Sequence, residues 1–186
     1  MRRRLAAILL ALAGCGTTEP HATLPRDAVV GAGDPTRAAV IGSAYAFAAR
    51  PPGPDAAARA AAEVEYLAAE IPAGPRWVGF NPTVGLGLQV ARAELRQALG
   101  IAADAPPQAV VDGLFAASRA LRQGDAAAAR AALAGPVFPN GATTLQRLAT
   151  LPDLPRTRSA TALAERELYR VEQDNQISSG GDGAKL

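Results

Sequence analysis

The chain has 186 residues, a formal charge of +2 and alanine at about a quarter of its positions, with a single tryptophan and a single cysteine. That length supports one domain with its own core and excludes two large ones. Its basic side chains are scattered rather than gathered into a stripe, which excludes the electrostatic footprint of a nucleic-acid binder.

At the N-terminus, Arg2-Arg3-Arg4 precedes the apolar run Leu5–Ala13, followed by Gly14-Cys15. A basic start, a short apolar stretch and small residues at a cut site are the marks of an export signal. The apolar run is about half the ~20 residues a membrane-spanning helix needs, so it does not read as a permanent span. Leu12-Ala13-Gly14-Cys15 resembles the lipobox of bacterial lipoproteins: an aliphatic residue, a small residue, Gly or Ala, then Cys. The resemblance covers about the first 16 residues and implies a diacylglyceryl group on the Cys15 thiol, cleavage before Cys15 and acylation of the new amine. Two or three acyl chains hold a protein firmly at a bilayer, at roughly 0.8 kcal/mol per buried methylene. Gly16 rather than Asp after the cysteine implies, by the enteric sorting rule, the outer membrane. Removing residues 1–14 takes away three arginines and leaves 16 basic against 17 acidic side chains, a net charge of −1.

Residues 15–33 are punctuated by Pro and Gly and carry little apolar periodicity, so they read as a lipidated cysteine followed by a flexible tether. Such a coil would reach roughly 20–25 Å root-mean-square. Helical signals then follow in order. Asp34-Pro35 is an N-cap with Pro at the first helical position, leading into Val40, Ile41, Ala44 and Phe47. A second helix starts near Asp55, carries Ala57, Ala61, Val64, Leu67 and Ile71 on one face, and is expected to stop at Pro72. Asn81-Pro82 opens a third, with Val84, Leu88, Ala91, Leu95 and Leu99 ending at Gly100. Asp104 with Pro106-Pro107 begins a fourth, running to Gly124. Asp125 caps a short fifth helix through Leu133. Leu145, Leu148 and Leu151 mark a further turn or two, and Ala160, Leu163, Ala164, Leu168 and Val171 define a last helix over about 157–174. The segment 175–186, with Ser178-Ser179-Gly180-Gly181, reads as a disordered tail.

No alternating strand pattern occurs, so the expected fold is all-α. It has five to seven short helices over 34–174, successive ones packed antiparallel around an alanine-rich core. Ala120–Leu133 resembles one tetratricopeptide-like hairpin, but the ~34-residue self-similarity of a repeat array is missing.

Little in the sequence points to catalysis or a cofactor. The only histidine, His21, lies in the tether, so zinc sites and His-dependent nucleophilic triads lack their ligands. Gly85 and Gly87 follow no strand and precede no Lys-Ser/Thr, so they form no phosphate loop. A carboxylate-only cell-wall enzyme would have to draw on Glu63, Glu65, Glu70, Glu94, Asp112, Glu165 or Glu167. Residues two apart on a helix diverge, which weighs against the closest of these pairs.

The least generic stretch is Pro75–Gln89, which holds Trp77 and Phe80 together with two helix-weakening glycines. Two readings fit it. Trp77 and Phe80 plug the core while Gly85 and Gly87 permit close helix crossing, or Trp77 anchors a recognition surface with Arg76, Phe80, Asn81 and Gln89. The expected role is a non-enzymatic structural or protein-interaction lipoprotein held at the envelope membrane, with no metal, cofactor or nucleic acid. The alternative is a helical domain binding a small ligand or lipid near Trp77.

Overall fold

The computed structural model describes residues 21–29, 33–49, 53–77 and 79–181. Cys15 and the rest of the signal lie outside the described residues, as does 182–186. The described residues form an all-α bundle without strands: α1 (Pro35–Ala48), α2 (Pro54–Ala73), a 3₁₀ turn (Pro75–Trp77), α3 (Pro82–Leu99), α4 (Pro107–Arg122), α5 (Ala126–Ala132), α6 (Gly141–Ala149) and α7 (Pro155–Gly181). None of these helices is long and apolar enough to cross a membrane.

Side-chain caps start several helices where the sequence expects them. Asp34 accepts from the N–H groups of Thr36 and Arg37, Asn81 from Thr83, and Asp125 from Ala128. Each satisfies N–H groups that a helix leaves orphaned at its start. Gly100 and Gly124 close α3 and α4 with φ near +72° and +74°, in the left-handed region that glycine enters without penalty.

α2 is the centre of the bundle, buried on nearly every side from Ala57 to Ile71. Its alanines let α1, α3, α4 and α6 pack around it. α1 runs antiparallel to it, with Thr36 hydrogen-bonded to Tyr66 at 2.7 Å and Gly42 against Glu63. α7 closes the other side as an antiparallel partner of α3, where Asn81 meets Glu167, Gly87 meets Ala160 and Glu94 meets Thr157.

The order of packing departs from simple hairpins. α4 does not lie beside α3 but returns to α2, and α7 bridges α3 and α1. The crossover is organised by one side chain. Arg96 is buried and forms a two-point ion pair with Glu65 of α2, at 3.0 and 2.5 Å. The same guanidinium donates to the carbonyls of Ala102, Ala103 and Ala105 in the α3–α4 loop. Every face of the fork is thereby used, as a buried cation requires.

Three boundaries differ from expectation. α2 continues through Pro72 to Ala73, because the proline falls in the last turn and its ring packs against Gly85, where a Cβ would lie 3.2 Å from it. α7 runs on to Gly181 in place of a disordered stretch from 175, with Ser178 donating to the Asp174 carbonyl at 2.8 Å. The segment 21–29 is no free tether. The Gln108 side chain accepts from Thr23 N–H at 2.7 Å and donates to its carbonyl at 3.1 Å. Asp27 pairs with Arg119 at 3.3 Å, and Ala22 and Ala28 are buried in the core.

Removing one partner of a buried, hydrogen-bonded ion pair leaves the other unpaired, at a cost of about 3–5 kcal/mol. Arg96→Ala is therefore expected to lower the chemical-denaturation stability by that order. A loss under about 1 kcal/mol would contradict the organising role given to Arg96.

Candidate functional site

The Pro75–Gln89 stretch folds into the 3₁₀ turn after α2 and the first half of α3. Trp77 and Phe80 are both buried, their ring centroids 4.7 Å apart and edge to face. The Trp77 ring N–H donates to Glu70 at 3.3 Å. The Arg76 guanidinium sits 4.8 Å from the Trp77 ring centroid, a cation–π contact, and pairs with the N-capping Asp34 of α1. That guanidinium holds the Asp34 carboxyl below its ordinary range.

The five candidate recognition residues therefore divide. Trp77 and Phe80 are core, Arg76 stitches α1 to the turn, and Asn81 spends its side-chain oxygen capping α3. Gln89 alone is an exposed side chain without a partner among the described residues. Four of the five nonetheless come together around one cleft of about 370 Å³. Trp77, Phe80, Asn81 and Gln89 line it with Ile71, Pro72, Gly85 and Leu86, and Arg76 stands outside. Gly85 serves the close approach of α3 to Pro72, as the core reading of the glycines expects.

Leu86 is the residue the sequence reading passed over. It is 64% exposed, and with Val90 at 46% it forms an apolar ridge on the outer face of α3. The signal was present: both residues fall off the Val84, Leu88, Ala91, Leu95, Leu99 stripe that is buried, where polar residues are the rule.

The carboxylates considered for catalysis are mostly engaged within the fold. Glu65 is held by Arg96, Glu70 by Trp77, Glu94 by the backbone and hydroxyl of Thr157, Asp112 by Gln108, and Glu167 by Arg170 and the Asn81 N–H. Glu63 and Glu65 diverge, one toward Gly42 of α1 and the other toward Arg96 of α3. Glu165, on α7, is half-buried. Among the described residues no three or more His, Cys, Asp or Glu side chains gather in a metal-sized group.

Glu63 has the most perturbed carboxyl. Burial pushes it up to about 7, against the pull of Arg59, whose Nε donates to it at 2.8 Å. Arg59 also donates to the Ala28 carbonyl at 3.0 Å, so the same guanidinium holds the N-terminal segment. No family model matches the chain, and no similarity was found among curated proteins or solved structures.

Because the folded Glu63 pKa lies above its ordinary 4.5, the folded state holds the extra proton between 4.5 and about 7. Stability contributed at this site is present below 4.5 and falls as pH rises through that window, by on the order of 3 kcal/mol at most. Denaturation midpoints measured from about pH 5 to about pH 8 should decline more in the wild type than in Glu63→Gln. Equal slopes in the two proteins would contradict the buried, proton-binding state of Glu63.

Proposed function

We propose that this chain is a lipid-anchored bacterial envelope protein, held through Cys15, whose helical domain has a non-enzymatic role in binding a protein partner. The observation that carries the interaction role is the exposed ridge of Leu86 and Val90 beside the cleft over Trp77 and Phe80. A protein surface that leaves large aliphatic side chains exposed next to a concave apolar lining is suited to association. The anchor rests on the lipobox resemblance at Leu12–Cys15 and on the basic and apolar residues before it.

The docking of residues 21–29 bears on how such an anchor would act. The chain from Cys15 to Ala22 spans roughly 25 Å when fully extended, against roughly 60 Å for the whole 16–33 stretch. A lipidated Cys15 would therefore hold the domain close to the bilayer. A second reading, binding of a small apolar ligand, is favoured by the cleft's volume of about 370 Å³, which lies within the usual range for small-molecule pockets.

Two measurements test the proposal. Metabolic labelling with a palmitate analogue should tag the wild type and not Cys15→Ser, and the variant should leave the membrane fraction. A photoreactive side chain at Gln89 in the anchored protein should give a discrete protein adduct in native membranes, and the same group at exposed Gln123 should not. Labelling of Cys15→Ser would remove the anchor, and adducts at neither position would remove the interaction role.

A further inference from the structure

The outer face of α3 carries a pattern beyond two exposed aliphatic residues. Thr83, Leu86, Val90, Ala93 and Gln97 are all exposed, and they recur at alternating steps of three and four. This is the spacing of a coiled-coil seam, and it bears no charge. Beside the ridge, α7 supplies Ser159, Ala160 and Leu163, which with Leu86, Gly87 and Val90 line a shallow, open apolar groove of about 350 Å³. The two helices pack closely here: a Cβ built at Gly87 would make an ordinary 3.6 Å contact with the Ala160 methyl.

The exposed charges along the α7 side of the groove are cationic. Arg156 lines it, and Arg166 lies three residues beyond Leu163 on the same face of α7. Both are exposed, and neither guanidinium makes an ion pair among the described residues. The neighbouring carboxylates, Glu94 and Glu167, are half-buried and hydrogen-bonded within the fold, Glu94 also by the Arg156 backbone N–H at 3.4 Å. Glu94 accepts from the Thr157 N–H and hydroxyl, both at 2.8 Å, and Glu167 from Arg170 and the Asn81 N–H. An apolar furrow between two helices with unneutralised cations along one wall matches an amphipathic helix of opposite charge.

Resting on the interaction role proposed above, we infer that this groove seats an amphipathic helix of a partner protein. Its apolar edge lies on Leu86, Val90 and Leu163, and its acidic residues meet Arg156 and Arg166. A protein partner is favoured over the bilayer by position. The N-terminal segment leading back toward Cys15 is fixed on α4 through Gln108 and Arg119, and α4 packs on α2 and α5, whereas the groove belongs to α3 and α7.

The test uses the full lipidated chain in detergent and two fluorescent helical peptides with the same leucine seam, one flanked by Glu and the other by Lys. Vesicles of phosphatidylglycerol and of phosphatidylcholine form the third arm. The Glu-flanked peptide should bind saturably, and at least roughly tenfold more tightly than the Lys-flanked one. Leu86→Asp should weaken it by a similar factor with the helical circular dichroism unchanged, and Arg156→Glu with Arg166→Glu should reverse the charge preference. Equal binding of the two peptides, binding of neither, an unchanged preference in the charge-reversed variant, or preference for phosphatidylglycerol vesicles would each overturn the proposal. If the peptide arm fails while the Gln89 adduct persists, the partner's chemistry is wrong and the interaction role stands; if both fail, the role falls with it.

Discussion

Glu65 and Arg96 are both ionisable and both buried, and most of the bundle's topology depends on their meeting. Taking two such groups out of water costs several kcal/mol each, and an ion pair alone repays this only when the remaining donors are also satisfied. Here they are satisfied by three carbonyls of the α3–α4 loop, so the pair ties α2 to α3 and fixes the loop in one stroke. The fixed loop turns α4 away from α3 and onto α2, on the side where residues 21–29 are then received. Every helix that touches α2 is therefore placed, directly or at one remove, with respect to this contact.

The same logic explains which features were legible in the sequence. Helix starts at Asp34, Asn81 and Asp125 depend on hydrogen bonds two or three residues long, and local spacing reveals them. The buried stripe of α3 was legible for a similar reason, since a 3.6-residue period maps directly onto one face. Partners far along the chain were not. Glu65 and Arg96 are 31 residues apart, and Thr23 and Gln108 are 85 apart. The segment 21–29 thus reads as part of a tether until the amide that clamps Thr23 is found. The end of α7 was missed for the opposite reason: its last turns are polar, leaving no apolar stripe to read.

For the candidate site, the sequence located the region but not the roles within it. Trp77 drew attention as the lone indole, yet its ring is packed against Phe80 and Arg76 and serves the core. The surface that remains accessible belongs to Leu86, Gln89 and Val90, one turn further on. α3 thus carries two apolar faces. One, Val84 to Leu99, completes the core, and the other, centred on Leu86, is left over after folding. Folding stability accounts for the first and not for the second, and that surplus is the physical basis of the proposed interaction role.

The most direct measurement of that role is the reactivity of a thiol at the ridge. Leu86→Cys, with the Cys15 thiol acylated as proposed, should react with a membrane-permeant maleimide rapidly in the purified protein and at least roughly tenfold more slowly in native membranes. A control Gln123→Cys, on an exposed surface away from α3, should react at the same rate in both. Equal reactivity of the Leu86→Cys thiol in the two settings would show the ridge to be uncovered in native membranes and would contradict the account.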